Sequence, residues 1–238
     1  MRRRNLGQHY LVDQEVVHRI VEAARIRPDE KVLEIGTGRG ALTKELVGLG
    51  GAFEGYEVNR ENFEETVAMV GETNARINLG DAFQQRPNFD VLVASLPYSR
   101  SATFVEWLSG IEYDRAVVLL QEDFVRKVLA APGTRDYRAI SALAQISSDV
   151  RPLGRVGRAS FSPPPKVSSL LVSVMPRVRI SGSEASNIKR LFSLRRRQVA
   201  SALTKLGMAG GEEGYGTRRV YSLTPDEVHR LCSPAPAE

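Results

Sequence analysis

The sequence predicts a doubly wound α/β domain followed by a small all-α C-terminal domain. Short apolar runs alternate with segments of helical spacing through the first 150 residues, and a glycine-rich turn closes the first of those runs. Beyond Pro176 the spacing becomes helical and the composition basic. At 238 residues, 42% hydrophobic and 26% charged, the chain suffices for one full core and a smaller appendage.

Lys31–Ile35, Ala52 to Val58, Ala75 to Leu79, Phe89 to Ala94 and Arg115 to Leu120 read as buried strands. Segments 41–49, 60–70, 100–109 and 121–131 between and after them read as helices, and that cadence means a parallel sheet covered on both faces. Ala139 to Val150 and Ser168 to Met175 are expected as two further strands without a helix between them. They complete a seven-stranded sheet whose last pair is antiparallel. Pro163-Pro164-Pro165 predicts an extended, rigid segment, because proline fixes its own φ and biases its predecessor away from helix. Ser181-Gly182-Ser183 reads as a cap, followed by helices over 184–194 and 195–206, a loop over Gly207 to Gly216, and a last helix opened by Thr224-Pro225-Asp226-Glu227. The expected domains are 1–178 and 179–238.

One cysteine, Cys232, and histidines at 9, 18 and 229 leave no disulfide and no metal-ligand spacing. No apolar run approaches a membrane span and the start lacks the apolar core of a signal peptide, so a soluble cytoplasmic protein is expected. Charge is unevenly placed. Residues 1–150 carry 18 Lys and Arg against 22 Asp and Glu, whereas residues 151–238 carry 15 against 6. Arginine supplies 27 of the 33 basic residues, which suits phosphate recognition, and the pattern suggests an enzyme core with a polyanion-binding side. A solvated basic surface explains the counts equally well.

The chemistry-bearing positions fall at predicted strand ends. Gly36-Thr37-Gly38-Arg39-Gly40 permits a tight turn and close approach of a nucleotide, Glu57 suits ribose hydroxyls, and Asp81 with Ala82 suits an adenine amine. A nicotinamide dinucleotide and S-adenosylmethionine satisfy this set alike; a plain strand-turn-helix and a helix-capping Asp81 are the structural alternatives. Ser95-Leu96-Pro97-Tyr98 ends the fourth strand. There Ser95 Oγ and the Leu96 carbonyl are acceptors beside an aromatic plate, suited to an amine on a planar base.

At this point the chain resembles the ribosomal RNA adenine dimethyltransferases, nearly end to end. Asn5 to Asp13 is similar to the family's G-Q-[NH]-F-L-x-D element, Val32 to Thr43 to its donor loop, and Leu120 to Tyr137 to its Q-K-E…P-G-S…Y block. Phe161 to Ser169 resembles F-x-P-P-P-K-V-x-S and Phe192 to Gln198 the basic F-x-x-R-R-K element. The resemblance implies a Rossmann-like methyltransferase sheet. It places S-adenosylmethionine on His9, Leu11, Gly36, Gly38, Glu57, Asp81, Ala82 and Ser95, with Ser95, Leu96, Pro97, Tyr98 and Phe161 around the target adenine. It further implies Arg195, Arg196, Arg197 and Lys166 on RNA, and a monomer without metal acting on small-subunit rRNA in a pre-ribosomal particle. Ser95 stands where the family usually has Asn, a shorter acceptor whose hydroxyl can also donate. The alternatives are a non-catalytic RNA-binding relative and a nicotinamide oxidoreductase.

Overall fold

Asp13 sets the first helix: its carboxylate accepts the amides of Glu15 and Val16 at 3.1 and 3.3 Å, and helix α1 runs Gln14–Ala24 behind it. Val16, Val17, Ile20 and Ala24 form its buried stripe at the spacing of one helix face. The computed structural model describes residues 9–208 and 214–233, so the Asn5–Gln8 part of the N-terminal motif and the middle of the glycine-rich loop lie outside the described residues.

Strands β1 (Tyr10–Leu11), β2 (Lys31–Ile35), β3 (Ala52–Glu57), β4 (Arg76–Leu79) and β5 (Val91–Ser95) follow in chain order. Helices α2 (Thr43–Leu46) and α3 (Arg60–Val70) lie between them. The chain continues through α4 (Ser101–Leu108), β6 (Arg115–Gln121), α5 (Glu122–Val128), α6 (Ala139–Ser147), β7 (Ser148–Val156), β8 (Phe161–Ser162) and β9 (Ser169–Pro176), then α7 (Gly182–Ser193), α8 (Val199–Leu206) and α9 (Pro225–Cys232).

Seven strands make one mixed sheet in the order β4-β3-β2-β5-β6-β9-β7, with β9 antiparallel to β6. The expected seven-stranded sheet with β9 and β7 together at one edge is therefore present. Its order reverses between β2 and β5, which pair in parallel, and open α/β sheets bind ligands at such a reversal. The registers Ile35↔Tyr56, Glu57↔Leu79 and Ile35↔Ala94 bring the carboxyl ends of β2, β3, β4 and β5 to one edge. β1 pairs antiparallel with β8 outside this sheet, Leu11 opposite Phe161.

One expected strand is corrected. Ala139–Ser147 is helix α6, and the strand begins only at Ser148. Ala and Leu favour a helix intrinsically, and Ser141 closes a capping box by accepting the Arg138 amide at 3.0 Å. Gln145 Nε2 then donates to the carbonyls of Val128 and Ala130 at 2.7 and 2.9 Å, a long-range restraint invisible to periodicity. A second correction concerns 195–206. The helix starts at Val199, and Arg195, Arg196 and Arg197 form the turn before it. The proline segment holds a cis Ser162–Pro163 bond.

The chain divides into two compact units. One contains the residues up to Phe104, Ile111–Glu122 and Val150–Pro176; the other contains Val105–Gly110, Asp123–Asp149 and the described residues from Arg177 onward. The second unit thus starts its last segment beside the expected boundary at 178 but also recruits two internal segments. Its core is built on Tyr137, Ile146, Ile188, Leu191 and Leu203, with the Tyr137 ring edge-on to Phe192 at 5.5 Å.

In the first unit Arg115, 16% exposed, ties the end of α1 to the sheet. Its guanidinium donates to the carbonyls of Ala24 and Arg25 at 2.6 Å each and to both oxygens of Glu30 at 2.7 Å. The Arg115 hydrogen bonds hold the buried Glu30 carboxyl at about 2. A carboxyl whose pKa is lowered on folding stabilises the fold above its unfolded value near 4.5, and that contribution disappears as pH falls from there towards 2. Glu30→Gln is therefore expected to lower the free energy of unfolding at pH 7 by about 2–4 kcal/mol and to flatten the acid limb of the stability curve, read by denaturant titration between pH 2 and 7. An unchanged acid limb refutes this assignment.

Candidate active site

The cleft at the sheet edge encloses about 290 Å³. It is lined by the glycine turn after β2, the ends of β3 and β4, the loop after β5, and the β1 and β8 segments. All residues expected at the donor and target sites, from His9 and Leu11 to Phe161, line it together.

Gly36 and Gly38 adopt φ of 77° and 56°, left-handed values that side-chain-bearing residues rarely take. The turn is anchored from β3. Gly36 N donates to the Tyr56 carbonyl at 2.8 Å, and Gly38 N donates to Glu57 Oε2 at 2.8 Å. Glu57 Oε1 accepts the Asn59 amide at 2.8 Å, so this 3%-exposed carboxylate is satisfied by backbone on both oxygens and keeps further lone pairs for hydroxyl donors. Glu34, one strand away, has among the described residues only the Thr43 hydroxyl, which donates to it at 2.7 Å. Burial, reinforced by the charge of Glu57, pushes its carboxyl up to about 8, which keeps it protonated at neutral pH.

Asp81 plays the capping role as well as facing the cleft. Its Oδ1 accepts the Phe83 amide at 3.0 Å at the start of the short turn Ala82–Gln84, and its Oδ2 accepts from Arg100 at 2.6 Å. Arg100 also lies over the Phe83 ring at 4.8 Å.

Beyond β5, Ser95 Oγ has no hydrogen-bond partner among the described residues. The Tyr98 hydroxyl is 2.9 Å from the fully buried Ser169 Oγ, which fixes the ring. The His9 ring lies 6.0 Å from that of Tyr98, and His9 Nδ1 donates to the Pro163 carbonyl at 2.7 Å. Leu11 and Phe161 arrive as a pair on β1 and β8. Glu34, Tyr10, Phe83, Arg100 and Ser169 also line the cleft, although the sequence marks none of them as a site residue. Their roles come from partners far along the chain. Ser169, inside the proline-lysine motif, carried the nearest thing to a signal.

The basic candidates separate. Arg195 turns inward, half-buried, donating to the carbonyls of Thr134 and Arg135 at 3.4 and 2.9 Å and stacking on Tyr221. Arg196 and Arg197 in the helical unit, and Lys166 in the sheet unit, are exposed. Among the described residues no group of three or more His, Cys, Asp and Glu is placed to hold a metal, and no helix is long and apolar enough to cross a membrane.

Comparison with known proteins gives one answer. The family model for ribosomal RNA adenine dimethylase matches residues 1–224. A protein of Pyrococcus abyssi named probable ribosomal RNA small subunit methyltransferase A is 33% identical over 95% of this chain and 89% of its own length. One of the same name from Methanothermobacter thermautotrophicus is 31% identical over 97% and 89%. Among solved structures, a dimethyladenosine transferase from Plasmodium falciparum superposes with a TM-score of 0.80 at 23% identity, covering 94% of this chain and 96% of its own. The 23S rRNA methyltransferase ErmE superposes with 0.65 at 21%, covering 94% and 99%, and these two likenesses speak to the fold. With a family match running almost the whole chain, and with the glycine turn, strand-end acids and Ser95 to Tyr98 loop gathered at one edge, the chain belongs to the ribosomal RNA adenine dimethylase family.

Proposed function

We propose that this cleft directs two rounds of methyl transfer to N6 of each of two adjacent adenosines near the 3′ end of small-subunit rRNA, acting as a monomer on a pre-ribosomal particle in the cytoplasm. The enzyme class follows from the family: an rRNA adenine dimethyltransferase using S-adenosylmethionine. The observation that carries the residue assignment is the convergence of Glu57, Asp81 and the Ser95 to Tyr98 loop on one cleft.

The residues fit the donor. Gly36 and Gly38 leave the turn without side chains, Glu57 keeps lone pairs for two ribose hydroxyls, and Asp81 with Ala82 offers a polar edge for the adenine. His9 and Leu11 close the pocket from β1. S-adenosylmethionine, when bound, supplies an electrophilic methyl on a sulfonium. The chain's own residues do the positioning. Tyr98 and Phe161 stack a target adenine taken from a single-stranded or flipped position, at about 1–3 kcal/mol per aromatic contact. Ser95 Oγ and the Leu96 carbonyl accept from N6 and aim its lone pair, while Pro97 holds the loop geometry. No strong base is required of the site, because the proton leaves after nitrogen has become cationic. Arg196, Arg197 and Lys166 supply phosphate contacts; Arg195 supports the turn that presents its two neighbours.

Transfer of labelled methyl groups to small ribosomal subunits lacking the modification tests this reading. Wild type is expected to yield N6,N6-dimethyladenosine, Ser95→Asn to retain transfer, and Ser95→Ala to lose about tenfold or more in kcat with donor affinity within about threefold. Absence of labelled dimethyladenosine from wild type would favour the non-catalytic alternative, and tight NAD binding without a calorimetric response to S-adenosylmethionine would favour the oxidoreductase. For the basic surface, Arg196→Ala is expected to weaken RNA binding and to reduce the slope of log K against log salt by roughly 0.7–0.9, with donor affinity unchanged. Equal loss of donor affinity defeats that division of labour.

A further inference from the structure

Arg100 sits in the cleft without a part in the chemistry described so far. It ends the short turn Tyr98–Arg100 that follows Pro97, and its amide donates to the Pro97 carbonyl at 2.9 Å. Its guanidinium reaches across to the turn after β4, bonding Asp81 Oδ2 at 2.6 Å and lying 4.8 Å from the centroid of the Phe83 ring. Asp81 and Phe83 are themselves joined, since Asp81 Oδ1 accepts the Phe83 amide. The Phe83 ring in turn lies 6.4 Å from that of Phe104, which is 1% exposed on α4.

We infer that Arg100 is a positioning residue that braces the target-adenine loop against the donor turn, so that both halves of the cleft keep one register. The identity of the two halves rests on the proposed function; the brace itself rests on geometry. An ordinary surface ion pair contributes little, because two solvated chains must be ordered to form it. Here the arginine is held on two sides, by a carboxylate oxygen 2.6 Å from its guanidinium and by an aromatic face, and both holders belong to one capped turn. Lysine keeps the charge but not the planar stack. The second lone pair on each Asp81 oxygen remains available to an amine donor, so the brace orients that carboxylate without consuming it. At its other end the loop is held by the Tyr98 to Ser169 hydrogen bond, and Arg100 adds a side-chain tie to the turn after β4.

The test compares wild type with Arg100→Met and Arg100→Lys in the full chain. In the free protein, hydrogen exchange at the amides of Arg100 and Ser101, which bond to the carbonyls of Pro97 and Tyr98, is expected to accelerate about tenfold in Arg100→Met and less in Arg100→Lys. On small subunits at saturating S-adenosylmethionine, kcat is expected to fall about tenfold in Arg100→Met, with donor Kd within about threefold, and to recover in part in Arg100→Lys. Unchanged exchange overturns the brace. So does weakened donor binding with kcat preserved at saturating donor, which would make Arg100 a donor-site residue alone. Wild type that transfers no methyl group overturns the proposed function instead, and the exchange measurement still decides the brace.

Discussion

The site depends first on the carboxylate of Glu57. A buried carboxylate needs hydrogen bonds to replace water, and Glu57 finds them in the amides of Gly38 and Asn59. The first of these bonds fixes the glycine turn and the second fixes the entry to α3, where Asn59 in turn caps the helix through the amide of Asn62. One side chain therefore sets the shape of the loop, the start of the following helix and the direction of the carboxylate that lines the cleft. Glu34 supplies the contrast. With a single hydroxyl donor among the described residues and full burial, it is held neutral at neutral pH.

The sheet converts this local arrangement into a site. Parallel pairing of β2 with both β3 and β5 places the glycine turn between Glu57 on one side and Ser95 on the other. Had β5 paired elsewhere, the Ser95 to Tyr98 loop would open onto a different edge from Glu57 and Asp81. β1 and β8 then close the cleft from outside the main sheet, with Leu11 and Phe161 in register and His9 held by the Pro163 carbonyl. The proline segment does not line the cleft itself, but it follows Phe161 and Ser162 and restrains the chain beside them.

What sequence makes legible follows from how local each cause is. The strands β2, β3, β5 and β6 declare themselves as short runs between turn signals, and the glycine turn and strand-end acids fall at the ends of β2, β3 and β4, so their gathering along one cleft follows from the sheet. Ala139–Ser147 misleads because a buried helix rich in Ala, Leu and Ile has no polar face to reveal its period, and its decisive bonds, from Gln145 to Val128 and Ala130, are long-range. Arg100 has no local signal for the same reason, and Ser169 has only its place in the proline-lysine motif. Their partners, Asp81 and Tyr98, lie 19 and 71 positions away, and no spacing rule links residues that meet only after the sheet has formed.

The charge asymmetry also changes meaning once partners are known. Counting treats every arginine as a free cation, but several, buried and exposed alike, are paired with groups of this chain. Arg115 is spent on Glu30 and the end of α1, Arg195 on two carbonyls and an aromatic ring, Arg218 on both oxygens of Glu227, and Arg155 on Glu122. Salt-dependent affinity for a polyanion is set by the cations that displace counterions from phosphates, not by net charge. The cations left exposed are therefore fewer than the total of 33 basic residues suggests, Arg196, Arg197 and Lys166 among them. Arg195 is a commitment of a different kind: one terminal nitrogen donates to the carbonyls of Thr134 and Arg135 while its Nε is buried without a partner among the described residues, so it ties down the turn from which Arg196 and Arg197 project.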